Sequence, residues 1–315
     1  VSRRIELLDH GTVLLGRIAA PGLRFIARHR ASLPRFQRFA DAAGFQIRTS
    51  HYYEPTYRES DLPADTNVER SLPAIDLGEA GQLALLRECR FADELRAIPL
   101  EQANPTEFGY RNPSYSFGDA EMLYNIIRLK RPSRIIEIGS GHSTLMAQHA
   151  IAANRRHDAS YGCEHVCIEP YEMPWLERTG VTVLRERVEK LDLALFDTLG
   201  KDDILFIDSS HVIRPWGDVL KEIHEIIPRL ASGVIIHVHD IFTPRDYPEP
   251  WLRTERRLWN EQYLLEAFLA FNRAFEVLSA LNWLKHNHFD ALAAACPMLA
   301  EHPDAEPGAF WFRRS

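Results

Sequence analysis

The chain has 315 residues, of which 45% are hydrophobic and 26% charged, and its formal net charge is −7. That length allows one large domain or two modest ones with a sizeable core, and the acidic balance gives no reason to expect nucleic-acid binding. Four scattered cysteines (Cys89, Cys163, Cys167, Cys296) exclude a disulfide framework and suit a reducing cytoplasm, and the absence of any run of 18 apolar residues argues against a membrane span.

The first 38 residues set eight arginines against Glu6 and Asp9 alone. This pattern fits a solvated helical face, with a transit peptide or a peripheral membrane-surface helix as alternatives. Arginine outnumbers lysine throughout and the first residue is Val1, as in a GC-rich bacterial gene with an alternative start codon. Proline-punctuated segments such as HYYEPTYRESDLP follow, and the apolar spacing of Leu83, Leu86, Phe91 and Leu95 predicts a helix over 81–97. No series of buried strands occurs in this region. Residues 1–110 therefore read as a mainly helical N-terminal extension or cap, and 111–315 as the principal domain.

From about Ser114 the rhythm changes. Short β-branched runs at 134–138, 165–169, 181–184, 203–208 and 233–239 alternate with helix-forming stretches such as GHSTLMAQHAIAA and PWGDVLKEIHEIIPRL. Apolar strands alternating with helices predict a parallel sheet covered on both faces. A helix over 260–271 then precedes AFEVLSAL, and AFWFRRS ends the sequence. Two late strands with no long crossover between them predict an antiparallel C-terminal edge. The expected fold is α/β, doubly wound, with a mostly parallel seven-stranded sheet.

The turn after the first strand reads RIIEIGSGHSTLM, residues 134–146. In such a sheet the ligand crevice lies beyond the carboxyl ends of the strands. Gly139 and Gly141 permit close backbone approach, and Ser143 and Thr144 supply hydroxyls or cap the next helix. A phosphate loop would need a lysine, which is absent, and a dinucleotide fingerprint would place a third glycine where Thr144 stands. Glu137 would oppose a pyrophosphate but suits a phosphate-free ligand bearing an amino group, such as S-adenosylmethionine. Glu169 ends the next strand in CIEP, where a carboxylate can accept both ribose hydroxyls; the irregular stretch 154–164 accounts for its long spacing from the turn. Cys163 and Cys167 flank His165, but no second ligand pair follows at zinc-site spacing.

Two later strand ends are densely polar: Asp208-Ser-Ser-His211, and His237-Val-His239-Asp240. His211 is the candidate general base, ordered by Asp208. Asp208, His239 and Asp240 could together hold a divalent ion that acidifies a hydroxyl acceptor; alternatively Asp208 only orders His211 and Asp240 caps the following loop. His237 is expected on the opposite face from His239, in a structural role. The proline-rich stretch after Asp240 reads as a loop, either a lid offering Tyr247, Trp251 and Arg253 or a packed connector.

On EIGSGHST, CIEP and the late strand pair, the sequence from about 112 to 315 resembles the class I S-adenosylmethionine-dependent methyltransferases. The resemblance implies S-adenosyl-L-methionine as cofactor, with Glu137, Gly139, Gly141 and Glu169 among its contacts. PSYSFGDAEML, residues 113–123, would close over the methionine end through Tyr115 or Phe117. The Asp-x-x-His segment followed by an acidic pair resembles metal-dependent sugar O-methyltransferases, with His239 standing where a carboxylate is expected. The implied activity is O-methylation of a small-molecule or sugar-like acceptor. An NAD-dependent oxidoreductase remains an alternative on Glu169, and so does a non-catalytic nucleoside-binding or membrane-docking protein.

Overall fold

A computed structural model describes residues 3–315, and for Arg3, Arg4, Glu6 and Leu7 the backbone only. Val1, on which the start-codon reading rests, lies outside the described residues. The chain divides into two compact units, residues 1–64 and 65–315. The first contains α1 (Arg3–Arg28) and α2 (Pro34–Ala42). Residues 65–110 thus fall within the second unit, where Leu85, Leu86, Leu95, Ile98, Phe108 and Tyr110 join its core.

The helix expected over 81–97 is two helices, α3 (Glu79–Glu88) and α4 (Ala92–Arg96). The chain turns extended at Cys89, and Phe91 then lies beneath the Arg128 guanidinium, 4.6 Å from its ring centre, while Arg128 pairs with Glu94. The break lets α4 dock on α5 (Asp119–Lys130) instead of projecting past it.

The second unit is built on a seven-stranded sheet in the order β3-β2-β1-β4-β5-β7-β6. Its strands are β1 (Arg134–Ile138), β2 (Glu164–Ile168), β3 (Thr182–Leu184), β4 (Ile204–Ile207), β5 (Ile235–Val238), β6 (Phe275–Ala280) and β7 (Phe310–Arg314). β1 to β5 are parallel, and β7 runs antiparallel between β5 and β6. The reversed strand is the last of the chain, as expected, but it lies one place in from the edge, where Phe310, Trp311 and Phe312 are wholly buried.

Successive residues of the central strands point to opposite faces, and both faces are covered. Ile135, Phe206 and Ile235 pack toward α5 and α6 (His142–His157), whereas Ile136, Ile138, Val166, Leu205, Ile207 and Ile236 join the opposite core. Ile138 is in register with Ile168 and Ile207, and Ile207 with Val238. The next residue of each strand therefore falls in one row at the carboxyl edge: Gly139, Glu169, Asp208 and His239.

His237 and His239 share a face, contrary to expectation. Both rings meet Tyr115, at 6.0 and 5.1 Å, because residues two apart on a strand point the same way. His237 is structural nonetheless: it is fully buried and stacks on Phe206 with 3.9 Å between ring centres.

Candidate functional site

The β1 turn depends on a glycine. Gly139 has φ +76°, and a Cβ there would stand 1.8 Å from the Asp208 carbonyl oxygen. Only hydrogen lets β1 and β4 end this close together. Gly141 is extended, with no such demand on its backbone.

A cavity of about 670 Å³ opens beside this turn, at the carboxyl ends of β1, β2 and β4. Gly139, Glu169 and Asp208 line it, together with Glu172, Glu189 and Asp218 and the two cations Arg187 and Arg214. Both cations are already paired, Arg187 with Glu189 and Arg214 with Asp218. With Glu189 and Asp218 spent on the two arginines, Glu169, Glu172 and Asp208 are left to make the cavity electronegative. Glu169 accepts the backbone N–H groups of Tyr171 and Glu172 on Oε1, both at 2.9 Å, and that of Ser140 at 3.3 Å on Oε2. Its second oxygen thus retains acceptor capacity toward the cavity.

Other expected cofactor contacts lie inside the protein. Glu137 is 1% exposed and faces α6, not the cavity. Ser143 and Thr144 donate to it at 2.6 and 2.7 Å, His165 Nε2 stands 3.0 Å away, and the Cys167 thiol donates at 3.4 Å. This network clamps the start of α6 to β1 from beneath. Burial alone would lower the His165 pKa, but Cys167 and Glu137 lift it to about 10. Tyr115 is likewise buried, its hydroxyl 3.5 Å from His237, and Phe117 stacks on His302.

The second constellation converges as anticipated and is larger than anticipated. Asp208 Oδ1 lies 3.2 Å from His211 Nε2 and 3.5 Å from His239 Nδ1. Asp240 Oδ2 lies 3.6 and 3.7 Å from the same two nitrogens. The far nitrogen of each imidazole meets a further carboxylate: His211 Nδ1 is 3.0 Å from Glu261, and His239 Nε2 is 3.4 Å from Asp119. Asp119 is itself held by the backbone N–H groups of Gly308 and Ala309. His211 and Asp240 both adopt left-handed backbone, φ 58° and 56°, a conformation that surrounding structure must enforce.

Charge dominates this cluster. Burial lowers the His211 pKa, yet the Asp208 and Glu261 carboxylates outweigh it and raise it to about 10. His239 is raised well above its ordinary value by Asp240, Asp208 and Asp119, again against burial. Burial would raise Asp208, but the two imidazoles hold it below the usual carboxylate range, whereas burial keeps Asp240 and Glu261 raised. The oxygens of Asp208 and Asp240 and Nε2 of His211 lie within 4.8 Å of one another, as ligands of one cation would. His211 anchors its other nitrogen on buried Glu261, the support that metal-ligating histidines require, while His239 stands beside this three-residue group, 3.5 and 3.7 Å from the same two carboxylates.

The stretch after Asp240 is a packed connector. Tyr247 is buried, Trp251 and Trp259 pack edge to face, and Trp259 lies 4.2 Å from the His211 ring. Asn260 N donates to the His211 carbonyl, which holds the left-handed turn. Sequence reasoning missed Asp119 and Glu261. Each opens a helix, α5 and α7 (Glu261–Leu269) respectively, and nothing local separates them from ordinary first-turn acids.

Residues 136–241 match the family model described as a methyltransferase domain. The matched stretch runs from β1 to just past β5 and so takes in the glycine turn and the ends of β4 and β5, which makes this part of the sheet similar to a methyltransferase domain. Among solved structures, the chain is similar to an O-methyltransferase from Bacillus cereus crystallised in complex with SAH. The two are 13% identical over 74% of this chain and 91% of that one, with a TM-score of 0.36. No curated protein matches the sequence.

Proposed function

We propose that this protein transfers the methyl group of S-adenosylmethionine to an oxygen of a small-molecule or sugar-like acceptor. The observation that carries the reading is the electronegative cavity beside the Gly139 turn. It suits a cationic ligand without phosphate and repels the diphosphate of a dinucleotide, so the oxidoreductase alternative fits it less well. Glu169 would take the ribose hydroxyls. Glu137, through Ser143 and Thr144, would set the turn instead of touching the ligand.

Asp208 both lines the cavity and belongs to the histidine–carboxylate cluster, so the two sites meet at its side chain. The donors fit a divalent cation held by Asp208, Asp240, His239 and His211, and two imidazoles favour manganese, iron or zinc over magnesium. When bound, the cation would acidify an acceptor hydroxyl. Asp208 and Asp240 would orient that hydroxyl toward the cavity, and its proton would pass to water as the oxygen attacks the sulfonium methyl group. Asp119 and Glu261 would keep both imidazoles in the ligating tautomer.

His211 as general base is the second reading, favoured by its 3.2 Å approach to Asp208 at the cavity wall. A free imidazole with pKa about 10 is protonated at neutral pH and would act as a base only in alkaline solution. Chelation separates the readings: the cation reading expects chelated enzyme to lose activity and regain it with manganese, whereas the base reading expects no loss. Calorimetry with S-adenosylhomocysteine against NADH tests the cofactor, and an absence of S-adenosylhomocysteine binding would reject the proposal.

A further inference from the structure

Residues 1–64 carry a charge opposite to that of the whole chain. They hold ten arginines, no lysine and six carboxylates, a net charge of +4, in a protein whose total is −7. The same unit leaves most of its large apolar side chains in the open.

α1 is the source of both features. It contains Gly11, Gly16 and Gly22, and Pro21 lies inside it. Each interior glycine costs a helix about 1 kcal/mol relative to alanine, and an interior proline about 3 kcal/mol. Such a helix owes its existence to burial of an apolar face more than to propensity. At the helical repeat, Leu8, Leu14, Leu15, Ile18 and Phe25 share one arc of about 120°. Arg17, Arg24 and Arg28 line up along its border and are all exposed. Yet the five apolar side chains are between 58% and 73% exposed. Phe39 of α2 is also exposed, as are Tyr52 and Tyr53, each at 80%. Among the described residues, no helix is long and apolar enough to cross a membrane.

An apolar face this large needs an occupant. A second copy would bring arginine rims together with few acids to offset them. Anionic headgroups complement the rims, and the acyl boundary beneath them accepts leucine, isoleucine and phenylalanine. We propose that residues 1–64 dock on the surface of an anionic phospholipid bilayer, with α1 lying in the interface plane. Arg17, Arg24 and Arg28 sit at the phosphates, and Tyr52 and Tyr53 occupy the headgroup level, where amphipathic aromatics concentrate.

The test is co-sedimentation of the full chain with vesicles of pure phosphatidylcholine or of equal parts phosphatidylcholine and phosphatidylglycerol. The mixed vesicles are expected to bind at least about tenfold more tightly, with affinity falling as salt rises. Substituting Arg17→Gln, Arg24→Gln and Arg28→Gln together should weaken binding on the order of 100-fold, at about fivefold per arginine. Leu14→Asp with Ile18→Asp should abolish it, with S-adenosylhomocysteine binding in solution unchanged for every variant. The proposal fails if both vesicle types bind equally or not at all, or if Leu14→Asp/Ile18→Asp still sediments with mixed vesicles. It also fails if the wild type self-associates without lipid and that variant is monomeric.

Discussion

Two buried clusters of histidine and carboxylate lie on neighbouring strands, and they share ingredients without sharing a purpose. Beneath the β1 turn, one carboxylate, Glu137, meets a histidine, two hydroxyls and a thiol. Its donors all belong to the protein. At the ends of β4 and β5, Asp208 and Asp240 face His211 and His239 with no comparable set of neutral donors, two further carboxylates stand behind, and the backbone is left-handed at two positions. The first cluster is fully buried and saturated with donors from the protein, although Glu137, His165 and Cys167 also bring their ligand atoms within 4.8 Å of one another. The second is over-supplied with negative charge, held in strain, and open to a cavity through Asp208. Composition therefore does not distinguish a network saturated with donors from one left in excess negative charge; the balance of donors and acceptors does.

The turn between the clusters offers the strongest way to break this contrast. Gly139→Ala would force β1 away from the Asp208 carbonyl, and displacement of about 1 Å at a reacting centre can cost 100-fold. Loss of at least about 100-fold in S-adenosylhomocysteine affinity is expected by calorimetry, with secondary structure retained by circular dichroism. Next in size, Asp119→Asn and Glu261→Gln should each lower metal affinity or activity about 10- to 100-fold, because each removes the carboxylate that orients one imidazole. Metal content measured after dialysis checks this, and full loading of both variants would place the carboxylates in a purely structural role.

For the first cluster the expected effect is on stability. Glu137→Gln leaves His165 without its counter-charge and should cost about 3 kcal/mol in chemical denaturation. If stability were unchanged while S-adenosylhomocysteine binding vanished, Glu137 would be a ligand contact after all. The smallest effect concerns pH. His165 binds its proton more tightly in the folded state, up to a pKa of about 10, than in the unfolded chain near the ordinary 6.5. Its contribution is complete below 6.5 and is lost as pH rises toward 10, so stability should fall across that window. In His165→Gln the fall should be shallower, as thermal melts at stepped pH would show.

Several of these features could be read from residue order. The β-branched runs, Gly139, and the Asp208–His211 and His239–Asp240 pairs all signal locally, through propensity, turn chemistry and polar residues at strand ends. The direction of Glu137 could not be read this way. Period-two alternation assigns Ile135 and Glu137 to one face and Ile136 and Ile138 to the other, but both faces of this sheet are buried, so the pattern does not name the cavity side. The His237 misassignment differs in kind, since the same period states that His237 and His239 share a face.

What the amino-acid order determined by itself is the sheet, the glycine at the β1 turn, and a row of polar residues at the carboxyl edge, because each follows from interactions within a few residues. Only tertiary structure decided which carboxylates are committed to the interior and which line the cavity. Glu261 lies 50 residues from His211 and Asp119 lies 120 from His239, and helix packing alone brings them together. Donor and acceptor satisfaction is a property of that packing and has no local signature.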